Sequence, residues 1–519
     1  MIYLAVSVGI ALITAGIVFM LGDDILWFLR VLKYKSQGIA VRYAPIMGYM
    51  KHVDAPGAED GLSNWKELFR SKNDPSRTEP IIAVNGAGSH PLLFINDKDL
   101  LKDYYKVDSE VTCPTNLEDF LFSNSFVFQA GKRALSQRSA FAEIFYPKYL
   151  KRLIPAILGI IDRHLVSVKT RIQTKTQNGG QDHFEVDLWE DIKSMFRDIV
   201  TFVLFGGEVA KVEGLSIIDQ IESVVVGYYM HNATSLPHKL TGGLYTNLGL
   251  SSRFNRLKKT HSIIYERIKE LINKCKGSRA VNRDRGPPNV IDLLVEHNEK
   301  LEAHGLENEV LSMDEIVDNI VIMIFAGVDT SKNITYNCIQ QLADSQQIQS
   351  DLRKSVKSEI FGKEGGEESY EAYNSLELLD DFITEALRLY GPAWINSYHL
   401  AIKDFKLGKF KISKGTGIRL SLSTLQTRPE YFENPQKFSL AKYSDRSKVK
   451  ELKRYTLIPF STGKWKRGCI GKNLAEIVVK MILPSFLERF EVQPTGRPNR
   501  RFIAMNYTLQ HCSFKVKIL

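Results

Sequence analysis

A single cysteine near the C-terminus has the surroundings of a metal-binding thiolate. It sits in Phe460-Ser461-Thr462-Gly463-Lys464-Trp465-Lys466-Arg467-Gly468-Cys469-Ile470-Gly471-Lys472-Asn473-Leu474-Ala475, between two glycines, with a helix-forming run after it. Glycines let a backbone turn tightly and approach a flat ligand. A cysteine at a helix entrance feels the positive end of the macrodipole, and Lys466, Arg467 and Lys472 add charge, so the spacing predicts a favoured thiolate. With no partner cysteine nearby, one thiolate suits an axial iron ligand better than a zinc site. A buried cysteine in a Gly-rich turn is the competing reading of this segment taken alone.

Two further groups could do chemistry. Ser312 and Glu315 have the spacing of a capping box and should start a helix that is apolar nearly all round, through Ile316, Val317, Ile320 to Phe325. An acid and an alcohol, Asp329 and Thr330, then follow the small residues Ala326 and Gly327. In a buried helix such groups are costly unless they have partners or a task. The competing role for Thr330 is a hydrogen bond to a carbonyl one turn back. Farther on, Glu385 and Arg388 are three apart and share a helix face.

The cysteine segment resembles the loop of cytochromes P-450, the haem-thiolate monooxygenases, whose pattern is Phe-x-x-Gly-x-Arg-x-Cys-x-Gly. Phe460, Gly463, Arg467, Cys469 and Gly471 match by type, with two extra residues between Gly463 and Arg467, most simply Lys464 and Trp465. Ala326 to Ser331 is similar to the family's small-Gly-x-acid-Thr-Thr/Ser signature, and Glu385-x-x-Arg388 to its Glu-x-x-Arg pair. Three positions depart from the pattern. Ala134 stands where a tryptophan precedes Arg138, His399 where an arginine reaches a haem propionate, and Lys442 where an arginine completes the Glu-x-x-Arg network.

The resemblance implies a role for each of these residues. Cys469 would ligate the iron of haem b, and Arg467, Arg138, His399, Phe460, Gly463, Gly471, Ala326 and Gly327 would line the cofactor site. Asp329 and Thr330 would relay protons, while Glu385, Arg388 and Lys442 would be structural. The reaction implied is insertion of one oxygen atom from O2 into a lipophilic substrate such as a sterol, fatty acid or terpenoid. Electrons would come from NADPH through a flavoprotein reductase, with cytochrome b5 as a second candidate donor. Lys132, Arg133, Lys464, Lys466 and Lys472 would form a basic docking face for it. Two alternatives are a P-450-fold enzyme that rearranges peroxides without a reductase, and a non-catalytic haem-binding membrane protein.

The elements that must position these groups imply a mainly α fold with small β-sheets, the P-450 fold. Its 519 residues contain no Gly/Ser-rich or Pro-rich linker, so residues 45–519 are expected to form a single catalytic domain. Residues 1–21 carry no charge and as a helix would reach about 30 Å, enough for a transmembrane anchor. Arg30, Lys33, Lys35 and Arg42 follow and place the body in the cytosol, with the endoplasmic reticulum membrane as the implied location. In the juxtamembrane segment 22–44, residues 25–32 suit either the membrane interface or a buried helix. Residues 81–96 read as a hairpin, 117–122 and onward as helical, 170–182 and 274–288 as exposed loops, and 444–455 as a charged meander. Residues 403–423 and 502–519 read as strands and turns. The five scattered cysteines give no disulfide framework. Net charge is +10, but without zinc-finger or RNA-binding spacing it does not point to nucleic acid.

Overall fold

The computed structural model describes residues 14, 25–43, 63–85, 91–114, 121–176, 183–206, 211–212, 215–235, 244–281, 287–361, 368–396, 399–461, 468–496, 501–503, 507–509 and 513–519. It is mostly helical with small sheets. The chain divides into two compact units. The first comprises residues 1–123, 210–269 and 395–425, the second residues 124–209, 270–394 and 426–519.

In the first unit the expected hairpin is present as antiparallel strands Ile81–Asn85 and Pro91–Ile95, buried along their whole length. Continuous burial is why both read as unbroken apolar runs rather than alternating ones. They belong to a six-stranded sheet in the order Ala40–Arg42, Ile81–Asn85, Pro91–Ile95, Gly417–Leu420, His399–Ala401, Thr112–Pro114. Residues 25–35 form a helix on this unit. Trp27, Val31 and Tyr34, one helical face, are buried, and the Trp27 indole N–H donates to Val84 O at 3.2 Å. Ile25, Leu26, Phe28, Leu29 and Leu32 on the remaining surface are exposed. The buried-helix reading holds for the face of Trp27, Val31 and Tyr34.

The second unit is organised around the helix Met313–Asp344, the core helix. It packs against helices Trp189–Phe205, Glu377–Tyr390 and Lys472–Arg489 and against strand Phe490–Pro494. Its start is the capping box foreseen at Ser312 and Glu315. Glu315 also takes hydrogen bonds from Gln137 at 2.8 Å and from both Nε and Nη2 of Arg133, whose guanidinium donates further to the carbonyls of Asn308, Glu309 and Val310. Burial acts to raise the Glu315 pKa, but these donors and the Ser312 N–H outweigh it and hold the carboxyl below its usual range. A depressed carboxylate contributes stability above its unfolded pKa, near 4.3. That contribution is lost as pH falls through the lower folded value. Glu315→Gln should accordingly flatten the fall in Tm between about pH 5 and about pH 3. An unchanged acid limb in thermal unfolding would count against this account.

Other expectations give way to the structure. Residues 446–455 form a helix, not a meander, because Asp445 caps it by accepting from Ser447 and Lys448 N–H, while Val449 and Leu452 pack on Phe432, Tyr443 and Leu457. Helices Pro147–Thr176 and Ser252–Val281 run on into the polar stretches read as loops. At the other extreme, residues 121–122 are a bend, with Phe122 at φ 58°, where helix was expected. Among the described residues no helix is long and apolar enough to cross a membrane. The anchor expected over residues 1–21 falls outside the described residues, Thr14 excepted.

Candidate functional site

The core helix is buried almost throughout, and its middle is the exception. Ala326 is exposed and Ile322, Met323, Gly327, Asp329 and Thr330 are partly exposed, whereas Val328 and all of residues 331–343 are buried. Gly327 is also where another element comes close: a Cβ built there would lie 3.3 Å from Val200 Cγ2 of helix Trp189–Phe205. A side chain at this position would press the two helices apart, so glycine serves packing as well as openness.

Thr330 Oγ1 donates to Ala326 O at 2.6 Å, the bond to the preceding turn that competes with a relay role. Asp329 is held by Lys332 Nζ at 2.8 Å. In this conformation both polar groups are engaged along the helix itself.

Cys469 lies just ahead of helix Lys472–Arg489, whose first turn is tied down by Asn473 Nδ2 donating to Phe145 O at 3.1 Å. The Cys469 N–H donates to Phe460 O at 2.9 Å, closing the ends of the loop. Ser461, next to Phe460, takes φ 56°, a left-handed conformation that a non-glycine residue adopts at some cost. Arg138 Nη2 donates to Gly468 O at 2.5 Å and lies 5.7 Å from the Phe126 ring, so helix Gly131–Ala142 delivers its arginine to the cysteine turn. Gly463, Lys464, Trp465, Lys466 and Arg467 lie outside the described residues.

Cys469 is open to solvent yet crowded by protein atoms, and desolvation pushes its thiol pKa up. The Gly471 N–H, Arg138 and Lys472 oppose this without overcoming it. Arg138 and Lys472 are the cations that act on this thiol among the described residues, and Lys466 and Arg467 lie outside them. A bound cation reverses that balance, since a coordinating thiol is deprotonated outright.

Glu385 and Arg388 form a buried ion pair, 0% and 1% exposed. Arg388 Nε and Nη2 reach the two carboxylate oxygens at 2.6 and 2.8 Å. Its remaining donors take Gln426 O, Pro435 O and Lys437 O, and its guanidinium lies 5.0 Å from the Phe432 ring. Lys442 Nζ does join Glu385, at 3.2 Å, as a point charge rather than a fork. Tyr443, which the sequence reading passed over, adds its hydroxyl to Glu385 Oε2 at 2.8 Å. Burial, then the Glu385 charge, pushes the Tyr443 pKa up and keeps it a donor. Lysine and tyrosine together thus supply donors where the resemblance implied one arginine.

His399 and Arg133 each have partners of their own. His399 belongs to the first unit, where its Nδ1 meets the Tyr104 hydroxyl at 3.2 Å. Arg133, expected on a docking face, is committed to Glu315 and three carbonyls. Lys132 and Lys472 remain exposed.

The donor set fits a haem iron better than any other metal. One accessible cysteine stands alone, and among the described residues no cluster of three or more His, Cys, Asp or Glu side chains could hold an ion. An arginine beside it can meet a carboxylate, and a helix with a small-residue opening can lie against a flat group.

The sequence model of the cytochrome P450 family matches residues 66–518. Among curated proteins, the chain is 24% identical to cytochrome P450 CYP72A219 of Panax ginseng over 414 residues, 78% of this chain and 74% of that one. It is 25% identical to 7-deoxyloganic acid hydroxylase of Catharanthus roseus over 421 residues, 78% of this chain and 75% of that one. With cytochrome P450 3A25 of Mus musculus it shares 29% identity over 228 residues, 44% of each chain.

Proposed function

This chain belongs to the cytochrome P450 family, as an oxygen-dependent monooxygenase, and we propose that it inserts one oxygen atom into a lipophilic substrate of the sterol, fatty-acid or terpenoid kind. Electrons come from NADPH through a flavoprotein reductase. The observation that carries the reading is the opening at Ala326, Gly327, Asp329 and Thr330 in an otherwise buried helix, on the same compact unit as the accessible Cys469.

Haem, when bound, supplies iron-centred activation of O2, with the thiolate donating electron density that favours O–O cleavage. The chain's own residues do the rest. Cys469, once deprotonated, would hold the iron. Arg138, already at Gly468 O, offers its other donors to a carboxylate of the cofactor, and His399 is proposed for a second one. Ala326 and Gly327 keep the helix surface low. Thr330 must turn its hydroxyl from Ala326 O to hold a proton at Oγ1, and Asp329 connects that hydroxyl to water as a general acid–base group.

Anchoring in the endoplasmic reticulum membrane, with the catalytic body cytosolic, is part of the proposal. It is supported by the uncharged residues 1–21 and by the exposed apolar surface of the helix over residues 25–35 that follows them. Lys132 and Lys472 are the described members of the basic face proposed for the reductase.

The test is incubation of the reductase-reconstituted enzyme with NADPH, isotopically heavy O2 and a panel of fatty acids and sterols. One heavy oxygen atom in the product is expected; NADPH-independent rearrangement of peroxides in its place would reject the reading. Thr330→Ala should release several-fold more hydrogen peroxide per NADPH while Tm stays near wild type. Unchanged coupling would leave Thr330 with only its bond to Ala326.

A further inference from the structure

Lys332 is 3% exposed, and lysine is almost never that deep unless paired. It follows Asp329 by three positions on the core helix, so the two share a face, and Nζ meets Asp329 Oδ1 at 2.8 Å. On another side Nζ lies 5.0 Å from the Trp189 ring centroid, within the range of a cation–π contact. Trp189 is itself fixed. Its backbone N–H donates to Asp187 Oδ1 at 2.8 Å, and its ring meets Tyr336 edge-on at 5.1 Å and 87°. The Tyr336 hydroxyl returns to the same Asp187 oxygen at 3.4 Å. The ammonium is therefore held between a carboxylate and an aromatic face, against a braced wall.

A buried ion pair is often no better than apolar side chains of similar volume, because both charges lose water. What it does accomplish is placement, since Asp329 is drawn along the helix toward Lys332 while Thr330 is engaged with Ala326 O.

We propose that Lys332 is a positioning residue of the proton relay, holding the Asp329 carboxylate in a rest position from which only protonation frees it. This rests on the reading of Asp329 and Thr330 as the relay. The carboxylate takes a proton from water. Neutral, it loses most of its attraction for the ammonium, turns, and gives the proton up on the Thr330 side. As a carboxylate it then returns to Lys332, whose own protons have not moved. One proton is carried inward and nothing is oxidised or reduced.

The test compares Lys332→Met, Lys332→Arg, Asp329→Asn and the double variant Asp329→Asn/Lys332→Met in the haem-loaded, reductase-reconstituted enzyme. Hydrogen peroxide per NADPH, the solvent deuterium isotope effect on NADPH oxidation, and Tm are measured. Lys332→Met is expected to raise peroxide yield several-fold and change the isotope effect without changing the half-saturating substrate concentration. Lys332→Arg, which keeps a cation at the same helical spacing, should recover most of the coupling. Because Lys332 acts through Asp329, the double variant should be no more uncoupled than Asp329→Asn, and the Tm losses of the single variants should not add. If Lys332→Met does not fold, the double variant, which leaves neither charge unpaired, still makes that comparison. Wild-type coupling and isotope effect in Lys332→Met, or additive effects in the double variant, would overturn the proposal. A wild-type enzyme without NADPH-dependent turnover would instead remove the monooxygenase reading, and additive Tm losses would still reject Lys332's action through Asp329.

Discussion

Arg388→Ala is expected to abolish the folded enzyme. The substitution leaves the Glu385 carboxylate, 0% exposed, without its two closest donors, and strips partners from Gln426 O, Pro435 O and Lys437 O. Breaking a buried pair by removing one member costs about 3–5 kcal/mol. Total stability is only about 5–15 kcal/mol, so the variant should be insoluble or melt far below wild type. Ser439 N–H, Lys442 and Tyr443 would still reach Glu385, but none of them restores the planar fork. Arg388→Lys keeps the charge without the fork and should fall between the two. Thermal unfolding decides the matter: a wild-type Tm for Arg388→Ala would mean that the pair does not hold this part of the core.

Cys469→Ala is expected to have the opposite signature, with chemistry lost and the fold kept. Alanine retains the backbone N–H bond from Cys469 to Phe460 O, and only the Gly471 N–H loses the sulfur as its acceptor. Removing the sulfur should therefore leave Tm of the haem-free protein within a degree or two of wild type. NADPH-dependent product formation should fall to background, because the thiolate that pushes electron density to the iron is gone. Product formation at an undiminished rate would show that Cys469 is not the ligand.

What could be read in the sequence was what is local. The capping box at Ser312, the Glu385/Arg388 spacing and the hairpin at residues 81–95 are each set by neighbours a few positions apart, and each stands in the structure. The Asp329–Lys332 pair had the same kind of signal, an acid and a lysine three apart in an apolar helix. Lys332 lies one residue past the stretch that resembles the family signature, Ala326 to Ser331. Tyr443 could not have been read in this way, since its hydroxyl meets a carboxylate 58 positions earlier and only the folded chain brings them together. The helix over residues 446–455 was hidden by charge. Its Asp445 cap and its Val449 and Leu452 stripe were visible, but only two apolar side chains carry its packing. The desolvation of the thiol was not legible either, since cations can be counted in a sequence whereas the protein atoms that crowd the sulfur cannot.

The central claim is that Cys469 presents a thiolate to haem iron, and the absorption spectrum of the dithionite-reduced, carbon-monoxide-bound wild-type protein tests it most directly. The proposed ligation predicts the red-shifted Soret band of a thiolate-bound haem. A reduced carbon-monoxide complex with an unshifted band, as given by nitrogen-ligated haem, would contradict it.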